Sequence, residues 1–334
     1  MRVVVLAYGE RQTPSYRFRF GQFEPWLRKE GVEVTCVLAT DLIQEPDLLR
    51  RLEGIDLFVN QKWLGSPAWF PEFNRLGCPV LFDFDDALWT RPGRAYSWIT
   101  RWKVRQRLHA WWRFADLVTC ANDYLAARVQ AQGLAATVVP MAIDTQVWVP
   151  RAQASSVGPR PLQVGWNGSP HNLRLLESLA DPLRQLVQAG SIDLRVFCGQ
   201  KPALDFPFHF TPFESGHEPA FVSGLDVSLL PLEGSDYDRG KSPIKALQSL
   251  AGGVPVVGQL LEGGRGFLGA ESAVEVSKER GQSWETALLG LRENEARRVE
   301  MGQAGRRLVE RDHSLEVIGR RLVDIWSQAI DFSH

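Results

Sequence analysis

The chain has 334 residues, which is too long for one ordinary domain and suits two domains of typical size. Hydrophobic residues make up 44% and charged residues 23% of the sequence, and this composition excludes a disordered or fibrous protein. Because 38 lysine and arginine residues are balanced by 39 aspartate and glutamate residues, no overall field attracts the chain to nucleic acid or membrane.

Strand and helix patterns alternate through the first half of the chain. Short apolar runs rich in β-branched residues are typical of strands buried in a parallel sheet. After the first of these we expect a polar loop, then a helix over Phe20–Glu30 that Gly31 ends. The alternation predicts a doubly wound α/β sheet. Its strands are predicted over Arg2–Tyr8, Val32–Leu38, Ile55–Val59, Pro79–Phe84, Leu117–Cys120 and Thr137–Val139.

The alternation stops at Pro150–Pro161 and then begins again. This stretch is polar, rich in proline, serine and glycine, and without apolar period, so we interpret it as an interdomain linker. The last stretch, Ser314–Ile330, has the periodicity of an amphipathic helix. The second domain is predicted to contain strands over Leu162–Trp166, Asp193–Phe197, Val227–Leu230 and Val254–Val257.

The cysteine and histidine patterns exclude several further classes. The four cysteines lie far apart with no C-x-x-C pair, which argues against a disulfide framework or a zinc ribbon and suits a reducing compartment. The histidines form no H-E-x-x-H pair. No signal-peptide pattern is present, and no uncharged apolar run approaches the roughly 20 residues that a membrane helix needs. We therefore expect a cytoplasmic protein.

Two strand–helix junctions in the second half share the same residue pattern, a serine followed by a proline. At the first, Gly168 permits a tight turn, Ser169 is predicted to cap a helix, and Pro170 is predicted to occupy its first position. At the second, Ser242 and Pro243 are predicted to play the same two roles. In an open α/β sheet, ligands bind beyond the carboxyl ends of the strands, where helix N-termini attract anions. Capping without a ligand is the alternative.

Three cations, Arg239, Lys241 and Lys245, cluster at the second junction. Cations at the positive end of a helix are locally unfavourable, so their placement predicts an anion that completes the site. A solvated charged face is the alternative. Neither junction matches G-x-G-x-x-G or G-x-x-x-x-G-K-[ST], so the sequence does not support a dinucleotide or P-loop site.

Three carboxylates, Asp83, Asp85 and Asp86, stand at the end of the fourth predicted strand. Crowded carboxylates usually face a cation, share a proton or bind hydroxyl groups. A solvated loop end with capping aspartates is the alternative. A basic and aromatic set, Tyr16–Phe20, follows the first strand, and we expect it in a loop at the same edge of the sheet.

The segment Ala87–Ala115 contains no acidic residue and interleaves basic residues with tryptophans. If it is helical, like charges lie four residues apart, and an anionic lipid surface or a phosphate-bearing substrate would relieve their repulsion. The alternative is a helix with its tryptophan face packed in the core and its arginine face in solvent; RNA is a weaker alternative. The cations are Arg91, Arg94, Arg101, Lys103, Arg105, Arg107 and Arg113, and the tryptophans interleaved with them are Trp98, Trp102, Trp111 and Trp112.

Several segments, in the same order along the chain, resemble glycosyltransferases of the GT-B fold and family 4 type. The most specific is Asp226–Leu232, followed by Gly240–Ser242, Lys245 and Ala251–Val257; it is similar to the family pattern DIxLxPL…GKxxxKxLEYMAxGxPVV. The other matching segments are Ala115–Thr119, Asn122–Leu125, Val139–Asp144 and Gly165–Ser169.

The resemblance implies two Rossmann-like doubly wound domains that face each other across a cleft. Residues 1–150 would form the acceptor domain and 151–313 the donor domain, with helix 314–330 packing back on the first. The family moves a sugar from a nucleotide-diphosphate sugar to a hydroxyl group with retention of configuration and without a metal cofactor. A hexosyltransferase that acts in polysaccharide biosynthesis on a glycan or a lipid-linked saccharide is the implied function. A divalent cation bound at the acidic cluster is the alternative to a metal-free reaction.

The implied site residues follow position by position. Lys241 would neutralise the donor diphosphate, and Asp85 would stand near the transferred sugar; we assign both to catalysis. The further donor-binding candidates are Gly168, Ser169, Arg239, Ser242, Lys245 and Gln248, and the acceptor-binding candidates are Tyr16, Arg17, Arg19, Asp85 and Asp86. Segment 87–115 would place the protein on the inner face of an anionic membrane.

Two positions depart from the family pattern. Many members use two glutamates spaced eight apart, and the matching positions here are Gly240 and Gln248. Gln248 retains the ability to hydrogen-bond a ribose hydroxyl but carries no charge. Because these glutamates are missing, a non-catalytic protein that binds a glycan, a lipid phosphate or a partner protein is an alternative. A nucleotide-sugar epimerase or phosphorylase on the same fold is a lesser alternative.

Overall fold

The computed structural model describes residues 1–93, 95–151, 160–277, 279 and 281–331. These residues form two compact units. The first contains Met1–Ala142, the short segment Arg239–Ser242 and the C-terminal helix from Leu315, and the second contains Ile143–Asp238 and Pro243–Ser314. Most of the predicted linker, Pro150–Pro161, lies outside the described residues.

Each unit is built on a parallel sheet of six strands. The first sheet has the order β2-β1-β3-β4-β5-β6 and the second β12-β11-β10-β7-β8-β9. The strands are β1 (Arg2–Ala7), β2 (Glu33–Leu38), β3 (Leu57–Gln61), β4 (Val80–Phe84), β5 (Leu117–Cys120), β6 (Thr137–Val138), β7 (Leu162–Asn167), β8 (Ile192–Cys198), β9 (His209–Pro212), β10 (Val227–Leu230), β11 (Val256–Gly258) and β12 (Ala273–Glu275).

Within each sheet, helices connect most consecutive strands, as is usual for parallel pairing, and only β8 and β9 are joined without one in the described residues. The helices are α1 (Pro14–Arg19), α2 (Glu24–Lys29), α3 (Ala39–Gln44), α4 (Phe70–Asn74), α5 (Trp98–Phe114), α6 (Asp123–Gln130), α7 (Leu173–Glu177), α8 (Ala180–Gln188), α9 (Glu218–Ser223), α10 (Asp236–Gly240), α11 (Ile244–Ala251), α12 (Glu262–Arg265), α13 (Trp284–Glu293), α14 (Glu295–Asp312) and α15 (Leu315–Asp331). Short 3-10 turns occupy Gly21–Phe23, Pro46–Arg51, Pro67–Trp69 and Pro170–Asn172.

These two doubly wound sheets confirm the predicted fold class. In both orders, strands are added outward in two directions from an inner strand, which is the topology of doubly wound α/β folds. The apolar runs that predicted strands are buried on both faces, as in β3 and β4, where every residue is buried. Among the described residues, no helix combines the length and the apolar character that crossing a bilayer requires.

The C-terminal helix α15 belongs to the core of the first unit. Its buried residues Ile318, Leu322, Ile325 and Trp326 form the predicted apolar face. The Trp326 ring stacks on Phe20, with ring centroids 6.4 Å apart. The helix approaches closely because it carries a glycine: a Cβ at Gly319 would lie 2.6 Å from the Trp26 ring.

Two predictions about local structure are wrong, and two strands were missed. The polar loop expected after β1 contains α1, and Tyr16, Phe18 and Phe20 are buried because this helix packs its aromatic side chains on the sheet. The helix expected over Phe20–Glu30 is divided into a 3-10 turn and α2. Strands β9 and β12 were not predicted, because β9 is mostly exposed and β12 has only three residues.

Candidate functional site

The carboxyl edge of the first sheet positions a lysine among carboxylates. Gln61 at the end of β3 pairs with Asp83 of β4, and the backbone N–H of the next residue, Lys62, donates to the Asp83 carbonyl at 2.8 Å. Lys62 has a φ of 49°, a left-handed conformation that is rare outside glycine. The chain therefore turns sharply at Lys62, directly after β3.

The Lys62 ammonium bridges two carboxylates that follow β4. Its Nζ lies 2.8 Å from Asp85 Oδ1 and 2.8 Å from Asp86 Oδ2. The Lys62 and Asp85 side chains are each only 10% exposed, whereas that of Asp86 is 24% exposed. The Ser15 hydroxyl donates to both oxygens of Asp85, at 2.8 and 3.1 Å, and Gln61 Nε2 donates to the Ser15 carbonyl at 3.0 Å. We call Ser15, Lys62, Asp85 and Asp86 the lysine–carboxylate cluster.

The charges of this cluster stabilise each other. Burial opposes ionisation of Asp85, but the nearby Lys62 ammonium, the Ser15 hydrogen bonds and Arg19 together hold the pKa of Asp85 below its usual value. Burial likewise opposes protonation of Lys62, but Asp85 and Asp86 raise the pKa of Lys62 above its usual value. At neutral pH, Asp85 is therefore a carboxylate that accepts hydrogen bonds and Lys62 is a cation.

Asp83 belongs to a separate, structural ion pair. Arg19 binds it with two hydrogen bonds, Nε to Oδ2 at 2.8 Å and Nη2 to Oδ1 at 2.6 Å, and Thr119 donates to Oδ1 at 2.6 Å. Both charged side chains are 2% exposed. Arg19 also donates to the Val139 carbonyl. This paired arrangement satisfies both buried charges within the unit.

The structure separates the five predicted acceptor-binding residues. Tyr16 is 2% exposed, and its hydroxyl donates to Glu24 at 2.7 Å; burial raises the pKa of Tyr16 above its usual value. Arg19 is equally buried, so the structure places both residues in the core of the first unit. Arg17 is half-buried, with its guanidinium 4.5 Å from the centre of the Phe18 ring. Of the five, only Asp85 and Asp86 meet in one cluster.

The crowded carboxylates face cations that the protein itself supplies, Arg19 for Asp83 and Lys62 for Asp85 and Asp86. Within the described ranges, no group of three histidine, cysteine, aspartate or glutamate side chains is arranged to hold a metal ion. Asp83, Asp85 and Asp86, which were the candidate metal ligands, are paired with two different cations.

The carboxyl edge of the second sheet is formed by the end of β7 and helix α11. Gly168 is required by packing, because a Cβ there would lie 2.4 Å from the Trp166 ring. Ser169 is exposed and takes the predicted cap position, with Pro170 at the first position of the turn. The Ser169 side chain makes no capping hydrogen bond, and the turn is only a three-residue 3-10 helix.

Gln248 is the most unusual polar residue of this edge. It is fully buried on α11, and its Oε1 accepts a hydrogen bond from Asn167 Nδ2 at 3.3 Å. Gln248 Nε2 is buried, and no described residue accepts a hydrogen bond from it. Leaving a buried donor unsatisfied costs about 1–3 kcal/mol, so such groups are rare in folded proteins. The arrangement offers a donor to an acceptor atom that the unit does not supply.

The segment from α10 to α11 differs from its prediction at the helix start. Pro243, not Ser242, occupies the cap position of α11. The reason is that the Ser242 hydroxyl accepts a hydrogen bond from Asn122 Nδ2 at 3.1 Å, within the first unit. Arg239 and Lys241 are half-buried in that unit, and Lys245 is half-buried on α11. The predicted end of α11 is confirmed: the helix stops at Ala251, and Gly253 has a φ of +70°.

Gly240 lies where no side chain fits. A Cβ on it would come within 2.7 Å of the Ala87 Cβ and 3.0 Å of the Leu125 side chain. Its carbonyl accepts a hydrogen bond from Asn122 Nδ2 at 3.0 Å. A glutamate at this position is therefore incompatible with the packing of the first unit.

Sequence reasoning missed Ser15, Lys62, Asn122 and Asn167. Lys62 directly follows β3, so the rule that selected Asp85 at the end of β4 also applies to it. A two-residue error in the predicted end of β3 concealed this signal. Nothing local in the sequence indicates that Ser15 contacts Asp85, because the two residues are 70 positions apart.

Solved structures of glycosyltransferases align with this chain over nearly its whole length. Sucrose-phosphate synthase from Thermosynechococcus elongatus aligns with a TM-score of 0.75 and 13% identity, over 98% of each chain. HepE from Anabaena, in complex with UDP and glucose, aligns at 0.70 and 12% identity, over 98% of this chain and 100% of that chain. An α-glucosyltransferase in complex with UDP and a 13-mer DNA containing an HMU base aligns at 0.67 and 12% identity, over 98% and 99%.

At these identities the likeness establishes the fold alone. The chain has the fold of GT-B glycosyltransferases, which agrees with the two doubly wound sheets. No protein-family model and no curated protein sequence matches the chain.

Proposed function

We propose that the protein is a glycosyltransferase that moves a sugar from a nucleotide-diphosphate sugar to a hydroxyl acceptor. The observation that carries the proposal is Gln248, whose buried Nε2 lacks a partner in the described residues at the carboxyl edge of the second sheet. Ligands of doubly wound folds bind at this edge. A ribose hydroxyl of the donor would supply the missing acceptor.

The donor diphosphate would be neutralised by the cations around α11. We assign Lys241 the main role and Arg239 and Lys245 supporting roles. The backbone N–H groups near Ser169 and Ser242 would contribute further positive potential. As the bond to the sugar breaks, charge builds up on the leaving diphosphate, and one well-placed hydrogen-bond donor contributes about 3–4 kcal/mol to the stabilisation of such charge.

Asp85 would orient the acceptor hydroxyl or the sugar. The Lys62 ion pair and the lowered pKa keep this carboxylate ionised, so it accepts a hydrogen bond from a hydroxyl group but donates none. Asp86, which is the more exposed of the two carboxylates, is suited to a second sugar hydroxyl. The proton of the attacking hydroxyl would pass to the departing phosphate. This scheme retains configuration, requires no metal ion and suits a glycan or lipid-linked saccharide as acceptor.

A second candidate function is a binding protein without catalytic activity. Gly240 favours it, because the packing of Ala87 and Leu125 leaves no room for the glutamate that many family 4 enzymes carry at that position. The ligand would then be a glycan, a lipid phosphate or a partner protein. An epimerase or phosphorylase is a lesser alternative, and formation of product without an acceptor would indicate it.

Release of nucleoside diphosphate from UDP-, GDP-, ADP- and dTDP-sugars, with and without a panel of acceptors, tests the proposal. We expect acceptor-dependent release with one donor, and a loss of about 100-fold or more in turnover for Lys241→Ala. Asp47→Asn is the matched control, because Asp47 is 77% exposed on a 3-10 turn of the first unit. Wild-type turnover in Lys241→Ala would contradict the diphosphate assignment. No release with any donor and acceptor would favour the binding protein.

A further inference from the structure

Helix α5 presents an apolar surface to solvent. Trp98 is 80% exposed, Trp102 60% and Ile99 47%. Large apolar side chains at such exposure are uncommon, and together they form a contiguous group on the first turns of one helix. We call Trp98, Ile99 and Trp102 the exposed tryptophan face.

The other end of α5 is anchored in the core. Leu108, Trp111 and Trp112 are buried, and Trp111 Nε1 donates to the Gly65 carbonyl at 3.1 Å. At about 100° per residue, these three buried side chains lie in an arc centred about 130° around the helix from the exposed tryptophan face. The exposed tryptophan face is thus directed away from the core and plays no part in holding the helix in place.

Cations surround the exposed tryptophan face. Arg101, Lys103 and Arg105 are exposed, and within the described residues none of them pairs with a carboxylate. The first turn of α5 carries no acidic residue. Positive side chains near a helix N-terminus oppose the helix dipole, and Arg101 and Arg105 repel each other four residues apart. An anionic partner would relieve both effects.

We propose that this end of α5 docks on an anionic membrane surface. Tryptophan prefers the interface between headgroups and acyl chains, where its ring is buried and its N–H remains hydrogen-bonded. The long basic side chains on either side would reach lipid phosphates. The exposed apolar and cationic groups lie together on the first turns of α5, so one end of the helix would supply both kinds of contact.

Ile99 favours a lipid surface over RNA. Bases stack on aromatic rings, but a branched aliphatic side chain between two tryptophans adds nothing to stacking and adds apolar area for insertion among lipids. The inference does not depend on transferase activity, since it concerns binding alone.

Vesicle flotation tests the proposal with the full chain. Vesicles of phosphatidylcholine alone would be compared with vesicles containing about 30% phosphatidylglycerol, at low and high salt. The variants are Trp98→Ser with Trp102→Ser, which removes the apolar part, and Arg101→Gln with Arg105→Gln, which removes two charges. The controls are Ile43→Ser, at a side chain that is 58% exposed, and Arg50→Gln with Arg51→Gln, at side chains about 60% exposed in the same unit.

We expect binding to the anionic vesicles that falls with salt. The tryptophan variant should bind at least about tenfold more weakly, and the arginine variant about 25-fold more weakly, since each cation near an anionic surface contributes about fivefold. Both controls should bind like wild type. Equal binding of the tryptophan variant and wild type would overturn the proposal, as would preference for a single-stranded RNA probe over vesicles. Thermal melting of each variant establishes that it is folded.

Discussion

The carboxyl edges of the two sheets differ in how far the protein satisfies its own polar groups. In the first unit, Lys62 pairs with both Asp85 and Asp86, and Ser15 completes the hydrogen bonds of Asp85. In the second unit, Gln248 is fully buried with one partner, Asn167, and its Nε2 has none among the described residues. The first edge satisfies its own charged groups, whereas the second leaves a buried donor that we propose a ligand satisfies.

This difference suits two kinds of recognition. A preorganised carboxylate accepts a hydrogen bond from a hydroxyl group at little reorganisation cost, which is what an acceptor or sugar site requires. An unsatisfied buried amide raises the free energy of the empty state and is stabilised when a ligand supplies an acceptor atom. Substitutions at each edge therefore separate effects on folding from effects on ligand binding.

The largest expected effect is that of Lys62→Met on stability. The substitution leaves Asp85 almost buried without its cation, and removing one partner of a buried ion pair costs about 3–5 kcal/mol. We expect urea unfolding to show a loss in this range at neutral pH. Lys103→Met is the control, since Lys103 is exposed on α5, and it should change stability by no more than about 0.5 kcal/mol.

A second substitution at Asp85 tests the cause of that loss. In the Lys62→Met background, Asp85→Asn removes the uncompensated charge and should recover about half of the lost stability or more. Absence of any recovery would show that packing of the Lys62 side chain, and not its charge, stabilises the edge.

Gly240→Ala is expected to have the next largest effect. The new Cβ would lie 2.7 Å from the Ala87 Cβ, a contact that forces the backbone to shift at a cost of about 1–3 kcal/mol. Gly290→Ala is the matched control, because a Cβ there meets nothing within 4 Å and alanine favours the helix. Thermal unfolding should therefore rank the two variants on opposite sides of wild type. A Gly240→Ala protein as stable as wild type would reopen this position to a larger side chain.

Gln248→Leu should change ligand binding more than stability. The substitution removes the unsatisfied Nε2 but also removes the acceptor of Asn167 Nδ2, so the two effects on folding nearly cancel, within about 1 kcal/mol. Affinity for the donor nucleotide should fall by about 1–2 kcal/mol, or roughly five- to thirtyfold, through loss of one hydrogen bond. Isothermal titration calorimetry measures the affinity. Unchanged affinity would remove Gln248 from the donor site.

The smallest expected effect is a change in stability that occurs only at acidic pH. Because the pKa of Asp85 is held below its usual value, its ionised form contributes stability above about pH 4, and this contribution is lost as the pH falls through the folded pKa. In Lys62→Met, burial alone would raise the pKa of Asp85, and the variant should lose less stability on acidification than wild type. Urea unfolding at neutral pH and below pH 4 tests this sign. Equal losses of stability on acidification in wild type and Lys62→Met would mean that Lys62 does not determine the ionisation of Asp85.

The sequence predicts the fold better than it predicts contacts within the site. Strands such as Leu117–Cys120 and Val227–Leu230 are mostly apolar and mostly buried, so their bounds were predicted correctly. The buried face of α15 likewise follows from its periodicity. Strand β9 was missed because only one of its four residues is partly buried, so it has no apolar signature.

Contacts between distant segments cannot be predicted from local sequence patterns. The pairing of Arg19 with Asp83 spans 64 positions, and no local pattern distinguishes an arginine that enters the core from one that faces a ligand. Asp85 was selected because the end of a strand is a local feature. Lys62, which governs its charge, required the correct end of the neighbouring strand.

The central claim is that the second edge is completed by a nucleotide. Thermal unfolding of wild type and Gln248→Leu in the presence of UDP, GDP, ADP and dTDP, each with and without magnesium, tests it most directly. We predict that one nucleotide at about 100 times its dissociation constant stabilises wild type by about 2.7 kcal/mol and stabilises Gln248→Leu less at the same concentration. No stabilisation of wild type by any of the nucleotides, or equal stabilisation of both proteins, would contradict the claim.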